Sequence, residues 1–589
     1  VILLYLKIHF KGTAMKKYYT LYKKQFILGP AFKLAEAILE LLVPLVMARI
    51  IDVGIKNGDI PYIIKMGLLM VGLGIMGLLC AIICQYSAAV AQQGVGTEIR
   101  NDMFKKINSL AQSDIDAFSS SSLITRITND VNQIQSGVAM FIRLMFRSPF
   151  LIAGSLIMAM KLDLKMSIIF FVAGLLVSLI MYYVLTKSLP LYKVIQKELD
   201  KVSLVVKENL SGVRVIRAFS KSNHEKERFG DKNDELTKIN FRVGSLSALL
   251  NPMTFAVMNL AIVILLYFGG KNVYSGELSQ GKIIALISYM TQILLSIIVF
   301  ANVIVVFTKA LASVQRVKEV LDAEPSIKDD DAAYQSGNEA APAVEFTDVS
   351  YAFPKSDENA LSNISFTAEK GETVGIIGGT GAGKSTLVNL IPRFSDVKNG
   401  SVKVFGHDVK DCKFGYLRHV IHVVPQKSNL FSGTIKDNLL MGDHSADDRD
   451  IDFALKVSQS AEFVSKLKDG TNTLIEEKSK NLSGGQKQRL CIARAIMGHP
   501  RILIFDDSSS ALDFATDAAL RKALKENLND TTVFLVSQRV NTVKNADKIL
   551  VLDDGELVAT GTHKELYKTN EVYRDICLSQ LSEKEVASV

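Results

Sequence analysis

The chain has 589 residues, 48% of them hydrophobic, with a net charge of +8 and a mean hydropathy of +0.23. That length excludes one ordinary domain, and that hydropathy excludes a wholly soluble chain. The positive charge does not point to nucleic acid, because Lys and Arg concentrate beside apolar stretches, where a positive-inside membrane bias accounts for them. Cys80, Cys84, Cys412, Cys491 and Cys577 show no C-x-x-C spacing, and the histidines form no cluster, so neither a disulfide framework nor a zinc site is expected.

Residues 1–14, VILLYLKIHFKGTA, are too short and too interrupted by lysine for a signal peptide, and read as an upstream extension ahead of Met15. From 15 to 320 the chain is apolar and helical in pattern. Six stretches reach the roughly 20 residues that a bilayer-crossing helix needs, near 26–54, 62–91, 137–160, 166–189, 246–269 and 281–307. Lys16, Lys17, Lys23 and Lys24, with the basic residues between the second and third spans and between the fourth and fifth, mark the cytoplasmic side. Both termini then lie in the cytoplasm of a multi-pass protein of the cell membrane. The internal connections Gln92–Ser136 and Pro190–Ser245 keep helical periodicity, so the helices continue below the membrane and turn back at tips expected near 113–122 and 218–228. Glu36, Glu40, Arg143 and Arg147 fall within spans, where charge implies a substrate path or a buried pair. Placement near the cytoplasmic ends, with cheap snorkelling, is the favoured reading. A solvated linker follows over 321–342, carrying Asp329, Asp330 and Asp331.

From 343 to 582 short strands alternate with turns and helices, and residues 583–589 form a tail. The apolar strand Val374–Ile377 runs into Gly378, Gly379, Thr380, Gly381, Ala382, Gly383, Lys384, Ser385 and Thr386, and a helix opens near Ser385. Strand, glycine loop and helix with G-K-S-T form a phosphate cradle: backbone amides wrap the phosphates, Lys384 reaches the outer oxygens, and Ser385 ligates Mg²⁺. Further on, Ser483, Gly484, Gly485 and Gln486 stand at the start of a helical run from Lys487 to Met497, and small residues at a helix N-terminus attract anionic oxygens. The strand Ile502–Phe505 ends in Asp506 and Asp507, and a carboxylate there holds Mg²⁺ or its water shell.

The Gly378 loop, LSGGQ at 482–486 and the Asp506 strand together resemble the nucleotide-binding domain of an ABC transporter. The resemblance covers Met15 to Gln580 and implies a six-helix, all-α transmembrane exporter domain followed by an α/β P-loop ATPase domain, with ATP and Mg²⁺ as ligands. It implies that the tips flanked by LITRITNDV and GVRVIRAF are coupling helices. It makes Phe353, with Tyr351 as the near alternative, the aromatic that stacks on adenine. It assigns Gln426 to Mg²⁺ or water, beside the metal-holding Ser385 and Asp506, and Glu477 to sensing the partner's tip, although the usual G-E-R-G is here Glu476, Glu477, Lys478 and Ser479.

Two departures from the family pattern bear on catalysis. The water-orienting glutamate is Asp507, and the switch histidine is Gln538. A shortened carboxylate misses its water, and a glutamine cannot carry positive charge. The resemblance therefore implies a site that binds ATP and hydrolyses it poorly, in one subunit of a heterodimeric multidrug-type exporter. Its non-identical partner supplies Glu and His, while the intact Ser483–Gln486 signature of this chain completes the partner's site. The cargo expected is a small amphipathic or drug-like molecule, with no role for nucleic acid. A slow homodimeric exporter of lipid or peptide, and an ATP-gated membrane regulator, are the alternatives.

Overall fold

The computed structural model describes residues 13–580 except 329–333, 335, 339, 354, 355, 357, 477, 478 and 509–511. Most of the expected upstream extension, the acidic run Asp329–Asp331, the Glu477 expected to sense the partner's tip and the tail 583–589 thus lie outside the described residues. The chain divides into two compact units, 1–108 with 120–323, and 109–119 with 324–589.

The first unit is helical. Its helices run Lys23–Arg49, Ile60–Ser109, Arg147–Leu162, Leu164–Ala218, Ser222–Ala248, Leu250–Tyr274 and Gln280–Leu321, with shorter pieces between them. At about 1.5 Å per residue, the 50-residue Ile60–Ser109 and the 55-residue Leu164–Ala218 far exceed a hydrocarbon core about 30 Å thick. They extend well past any span, as their charged C-terminal halves require. Among the described residues, five continuous helical stretches are long and apolar enough to cross a membrane. The helix at the first expected span, Lys23–Arg49, is not among them, because Lys33, Glu36, Glu40 and Arg49 interrupt its apolar run.

Three of those charges, Lys33, Glu36 and Glu40, are paired. Lys33 and Glu36 meet at 2.7 Å on one helix, and Arg147 reaches Glu40 across helices at 2.7 Å. Pairing compensates much of the cost of removing charge from water. A paired reading therefore fits Glu40 and Arg147, which are partly exposed, while Nε of both Arg143 and Arg147 is buried with no partner among the described residues. A second ion pair holds the helix after the first tip. Asp130, 4% exposed, accepts both Nε and Nη2 of Arg316, at 2.8 and 2.5 Å, and the Ser313 hydroxyl at 3.0 Å. Asp130 is buried, but the Arg316 side chain is 47% exposed and regains water when its partner is removed, so what is lost is hydrogen bonding rather than a stranded charge. Asp130→Ala is expected to cost about 1–2 kcal/mol, seen as a lower thermal midpoint of the detergent-solubilised protein. Arg316→Ala added to it should cost little more.

The two expected tips differ from one another. The chain breaks after Ser109, forms the short helix Gln112–Phe118, and turns at Ser119, whose φ is +61°. At the second tip the long helix ends at Ala218, Ser220 turns with φ +52°, and an uninterrupted helix Ser222–Ala248 begins at once. The second break is thus three residues, Phe219 to Lys221, rather than the eleven expected. Residues 109–119 cluster with the second unit, where Asp114 accepts the N–H of Ser326 at 2.9 Å.

The second unit is α/β. Its strands are β1 (Val344–Tyr351), β2 (Leu361–Ala368), β3 (Thr373–Gly378), β4 (Asn399–Val404), β5 (His407–Asp408), β6 (Ile421–Val424), β7 (Gly433–Thr434), β8 (Leu474–Ile475), β9 (Ile502–Asp506), β10 (Thr532–Val536), β11 (Lys548–Asp553) and β12 (Glu556–Gly561). An antiparallel sheet is ordered β2-β1-β4-β5, and a six-stranded sheet β12-β11-β3-β10-β9-β6. In the larger sheet β11, β3, β10, β9 and β6 are parallel, and only the edge strand β12 is antiparallel. Its central strands are buried on both faces, which is why Val533, Phe534, Leu535 and Val536 run apolar without alternation. Register then places the chemistry. Val536 lies opposite Ile376 on one side and Asp506 on the other, so β3, β10 and β9 end in one row. The loops after those three carboxyl ends open at one edge of the sheet, where open α/β folds bind ligands.

Candidate nucleotide site

The loop after β3 wraps into the helix Lys384–Leu390, with Gly381 and Gly383 both at φ +89°, a backbone that L side chains avoid. At Gly383 a Cβ would also press to 2.7 Å from the Leu361 side chain. Next to it a Cβ at Gly379 or Gly381 would meet only open space, so ligand atoms have room to approach the loop backbone there. Lys384 is 8% exposed, and its ammonium donates to the carbonyls of Gly378 and Gly379 at 2.9 and 2.5 Å. Burial pushes its pKa down, while the Asp507 and Asp506 carboxylates pull it back up.

Ser385 donates its hydroxyl to Asp506 Oδ1 at 2.7 Å, joining the first turn of the loop helix to the end of β9. One hydroxyl and one carboxylate are hard oxygen donors, and so few of them suit Mg²⁺, which keeps several waters and shares phosphate oxygens. Asp507 follows with φ +45°, its N–H donating to the Val536 carbonyl at 3.0 Å. Asp tolerates that conformation better than longer side chains. Gln426 reaches Asp507 Oδ2 only at 3.5 Å, and Thr380 reaches Gln538 Oε1 at 3.4 Å, both at the limit of hydrogen bonding.

A cleft of about 440 Å³ joins these groups. Phe353, Thr380, Gly381, Gly383, Lys384, Ser385, Thr386, Gln426, Asp506, Asp507 and Gln538, all singled out in the sequence, line it together. Gly378, Gly379 and Ala382 belong to the same loop without lining the cleft. Of the two aromatics, Phe353 is 54% exposed at the mouth, whereas Tyr351 is 5% exposed in the core of the antiparallel sheet, its hydroxyl on Ser395 at 3.4 Å. The alternative offered by Tyr351 is thereby corrected: β1 is still paired at Tyr351, with Leu361 opposite, and that pairing turns its ring inward. Ser483 to Gln486 do not line this cleft. Ser483 caps the helix Gly484–Ile496, accepting Gln486 N–H at 3.3 Å while Gln486 Oε1 accepts Ser483 N–H at 2.9 Å.

Sequence reasoning missed Asn359, Ala360, Asp554 and Gly555, which also line the cleft. Asp554 and Gly555 form the tight turn between β11 and β12, both with positive φ. The Asp-Gly pair between apolar runs is a hairpin signal that was available in the sequence.

Asp506 is also changed by its surroundings. Burial raises its pKa, as does the Asp507 carboxylate, against the lowering effects of the Ser385 hydrogen bond and Lys384. A raised carboxylate contributes stability that is present below its unfolded pKa and lost as pH rises through its folded pKa. At neutral pH its charge is therefore a cost without a cation. Asp506→Asn is expected to raise the thermal midpoint of the nucleotide-free protein and to abolish stabilisation by Mg²⁺ with ATP. In the unaltered protein, Mg²⁺-dependent nucleotide binding should weaken on acidification at a higher pH than for an ordinary carboxylate.

Comparison with known proteins agrees with this architecture. The ABC transporter transmembrane region family matches residues 26–297, and the ABC transporter family matches residues 361–510. The chain is 37% identical over 547 residues to the uncharacterized ABC transporter ATP-binding protein YfiB of Bacillus subtilis (strain 168), covering 93% of this chain and 95% of that one. It is 30% identical over 510 residues to the ATP-dependent lipid A-core flippase of Syntrophus aciditrophicus (strain SB), covering 85% and 83%. A bacterial Atm1-family ABC exporter solved with ATP bound shares the fold at a TM-score of 0.77 and 22% identity, over 97% of this chain and 100% of that one. The chain belongs to the ABC transporter family. It is a membrane protein with a helical transmembrane region and an ABC ATPase domain, of the kind that works as a dimer and couples ATP hydrolysis to transport.

Proposed function

We propose that this chain is one half of a heterodimeric ABC exporter that moves a small amphipathic or drug-like molecule out across the cytoplasmic membrane, with a hydrolysis-impaired site of its own. The observation that carries the reading is that Asp507 and Gln538 are the groups the cleft presents beside Ser385 and Asp506. Lys384 and the Gly379–Gly383 amides hold phosphates, Ser385 and Asp506 hold Mg²⁺ with Gln426 through water, and Phe353 offers its exposed ring to adenine. The metal neutralises phosphate charge when bound. Asp507 is too short to orient water well, and Gln538 offers a hydrogen bond without a charge. Ser483 to Gln486 complete the partner's site. Six spans, counting the paired-charge helix Lys23–Arg49 as the first, put both termini and the ATPase domain in the cytoplasm, and the tips near Asp114 and Asn223 pass closure of the ATPase pair to the spans.

A homodimer that moves lipid is the second reading, favoured by the relative described as a lipid A-core flippase. ATPase rates of this chain purified alone, and co-purified with an ABC subunit encoded beside it, separate the two. The heterodimer requires a nearly inactive chain and an active mixture. Ordinary turnover by the chain alone, unchanged by a second subunit, selects the homodimer.

A further inference from the structure

Gln580 closes the C-terminal helix Glu571–Gln580, 42 residues beyond Gln538, and its side chain grips the backbone on both sides of Arg539. Nε2 donates to the carbonyl of Gln538 at 2.8 Å, and Oε1 accepts the N–H of Val540 at 2.9 Å. Each of those backbone groups needs an outside partner. Val540 opens the helix Val540–Val543, so its N–H has no intrahelical acceptor, and Arg539 supplies no side-chain cap. The Gln538 carbonyl lies past the end of β10 and ahead of that helix, beyond reach of either ladder. One primary amide, with donor and acceptor in a single plane, satisfies both.

The helix that carries this amide is firmly seated. Tyr573 and Cys577 are fully buried in the same apolar cluster as Val540 and Val543, and the Tyr573 hydroxyl meets His563 Nδ1 at 2.7 Å. At the other end of the same residue, the Gln538 side chain faces the cleft and accepts from Thr380. Gln538 is therefore held by its main chain to the C-terminal helix, while its amide reaches the phosphate loop only at the limit of hydrogen bonding.

We infer that Gln580 is a positioning residue for the switch: by fixing the main chain from Gln538 to Val540 it aims the Gln538 amide at the outer phosphate of the nucleotide. This rests on the reading of Gln538 as the switch. The C-terminal helix then acts on the step that distinguishes ATP from ADP, and a movement of that helix changes how the site senses the outer phosphate.

The test uses the full chain in detergent, with Gln580→Ala, Gln580→Glu and Gln538→Ala. Affinities for AMPPNP and ADP are measured together with hydrogen exchange over residues 537–543. Gln580→Ala is expected to lower the preference for AMPPNP over ADP about fivefold, the worth of one lost hydrogen bond, with ADP affinity unchanged and exchange at Val540 accelerated. Gln580→Glu keeps the acceptor for Val540 N–H and loses the donor to Gln538, so Val540 should stay protected while the preference falls part of the way. A merely structural role would lower both affinities alike. If Gln538→Ala reduces the preference and neither Gln580 variant does, the tether is wrong and the switch reading stands. If Gln538→Ala leaves the preference untouched, the switch reading fails and the positioning role falls with it.

Discussion

Replacing Asp507 with Glu and Gln538 with His in the same chain is expected to raise hydrolysis at its own site by about 10²-fold. The phosphate loop, Ser385 and Asp506 are already assembled, with the Ser385 hydroxyl 2.7 Å from Asp506. What the cleft lacks is reach and charge. Asp507 extends no further than a 3.5 Å contact with Gln426, and one more methylene moves the carboxylate outward by more than about 1 Å, the scale on which misplacement costs a hundredfold. Histidine at 538 adds a group that carries positive charge where glutamine cannot. The gain has a structural cost, because residue 507 sits at φ +45°, which disfavours longer side chains, so Asp507→Glu alone should lose about 1 kcal/mol of stability. The measurement is the steady-state ATPase rate of the purified double variant against the unaltered chain. No gain, with nucleotide affinity intact, would show that these two positions do not limit the site.

The site was far more legible in sequence than the membrane half. The motif from Gly378 to Thr386 and the strand ending in Asp506 fix their own backbone, since positive φ at Gly381 and Gly383 and an apolar central strand are written directly in residue type. Their convergence depends on parallel register between strands more than a hundred residues apart, which local pattern does not encode; family resemblance supplied it. Tyr351 and Phe353 show the limit. Both are aromatics at a strand end, and the pairing of Tyr351 with Leu361 decides which ring is buried. In the membrane half, helix existence was readable from apolar length, but the partners of its charges were not. Glu40 meets Arg147, 107 residues away, and Lys33, which drew no notice in sequence, neutralises Glu36. The second tip was drawn too long because charged helical residues from Ser222 onward look alike in a loop or on an exposed helix.

Ser483→Arg is expected to leave nucleotide binding at this chain's own cleft unchanged and to reduce the ATPase of the chain with its partner subunit by at least about 10²-fold. Ser483 is absent from the cleft lining, so its own site has no reason to respond. Its role lies at the N-terminus of the helix Gly484–Ile496, where it and Gln486 cap each other and small residues leave the amides open. Arginine there loses the cap, worth about 1 kcal/mol, and fills with a long cation the space that a facing phosphate would occupy. The lost cap alone is too small for a hundredfold effect, so Ser483→Ala, which removes only the cap, should cost less than tenfold. Lys384→Ala is the counterpart: it strips the phosphate contact from this chain's own cleft and should leave much of the mixture's activity in place. In a heterodimer the two substitutions therefore differ sharply, because one damages the competent site and the other the impaired one. In a homodimer every site uses both residues, and Ser483→Arg and Lys384→Ala must silence the protein equally.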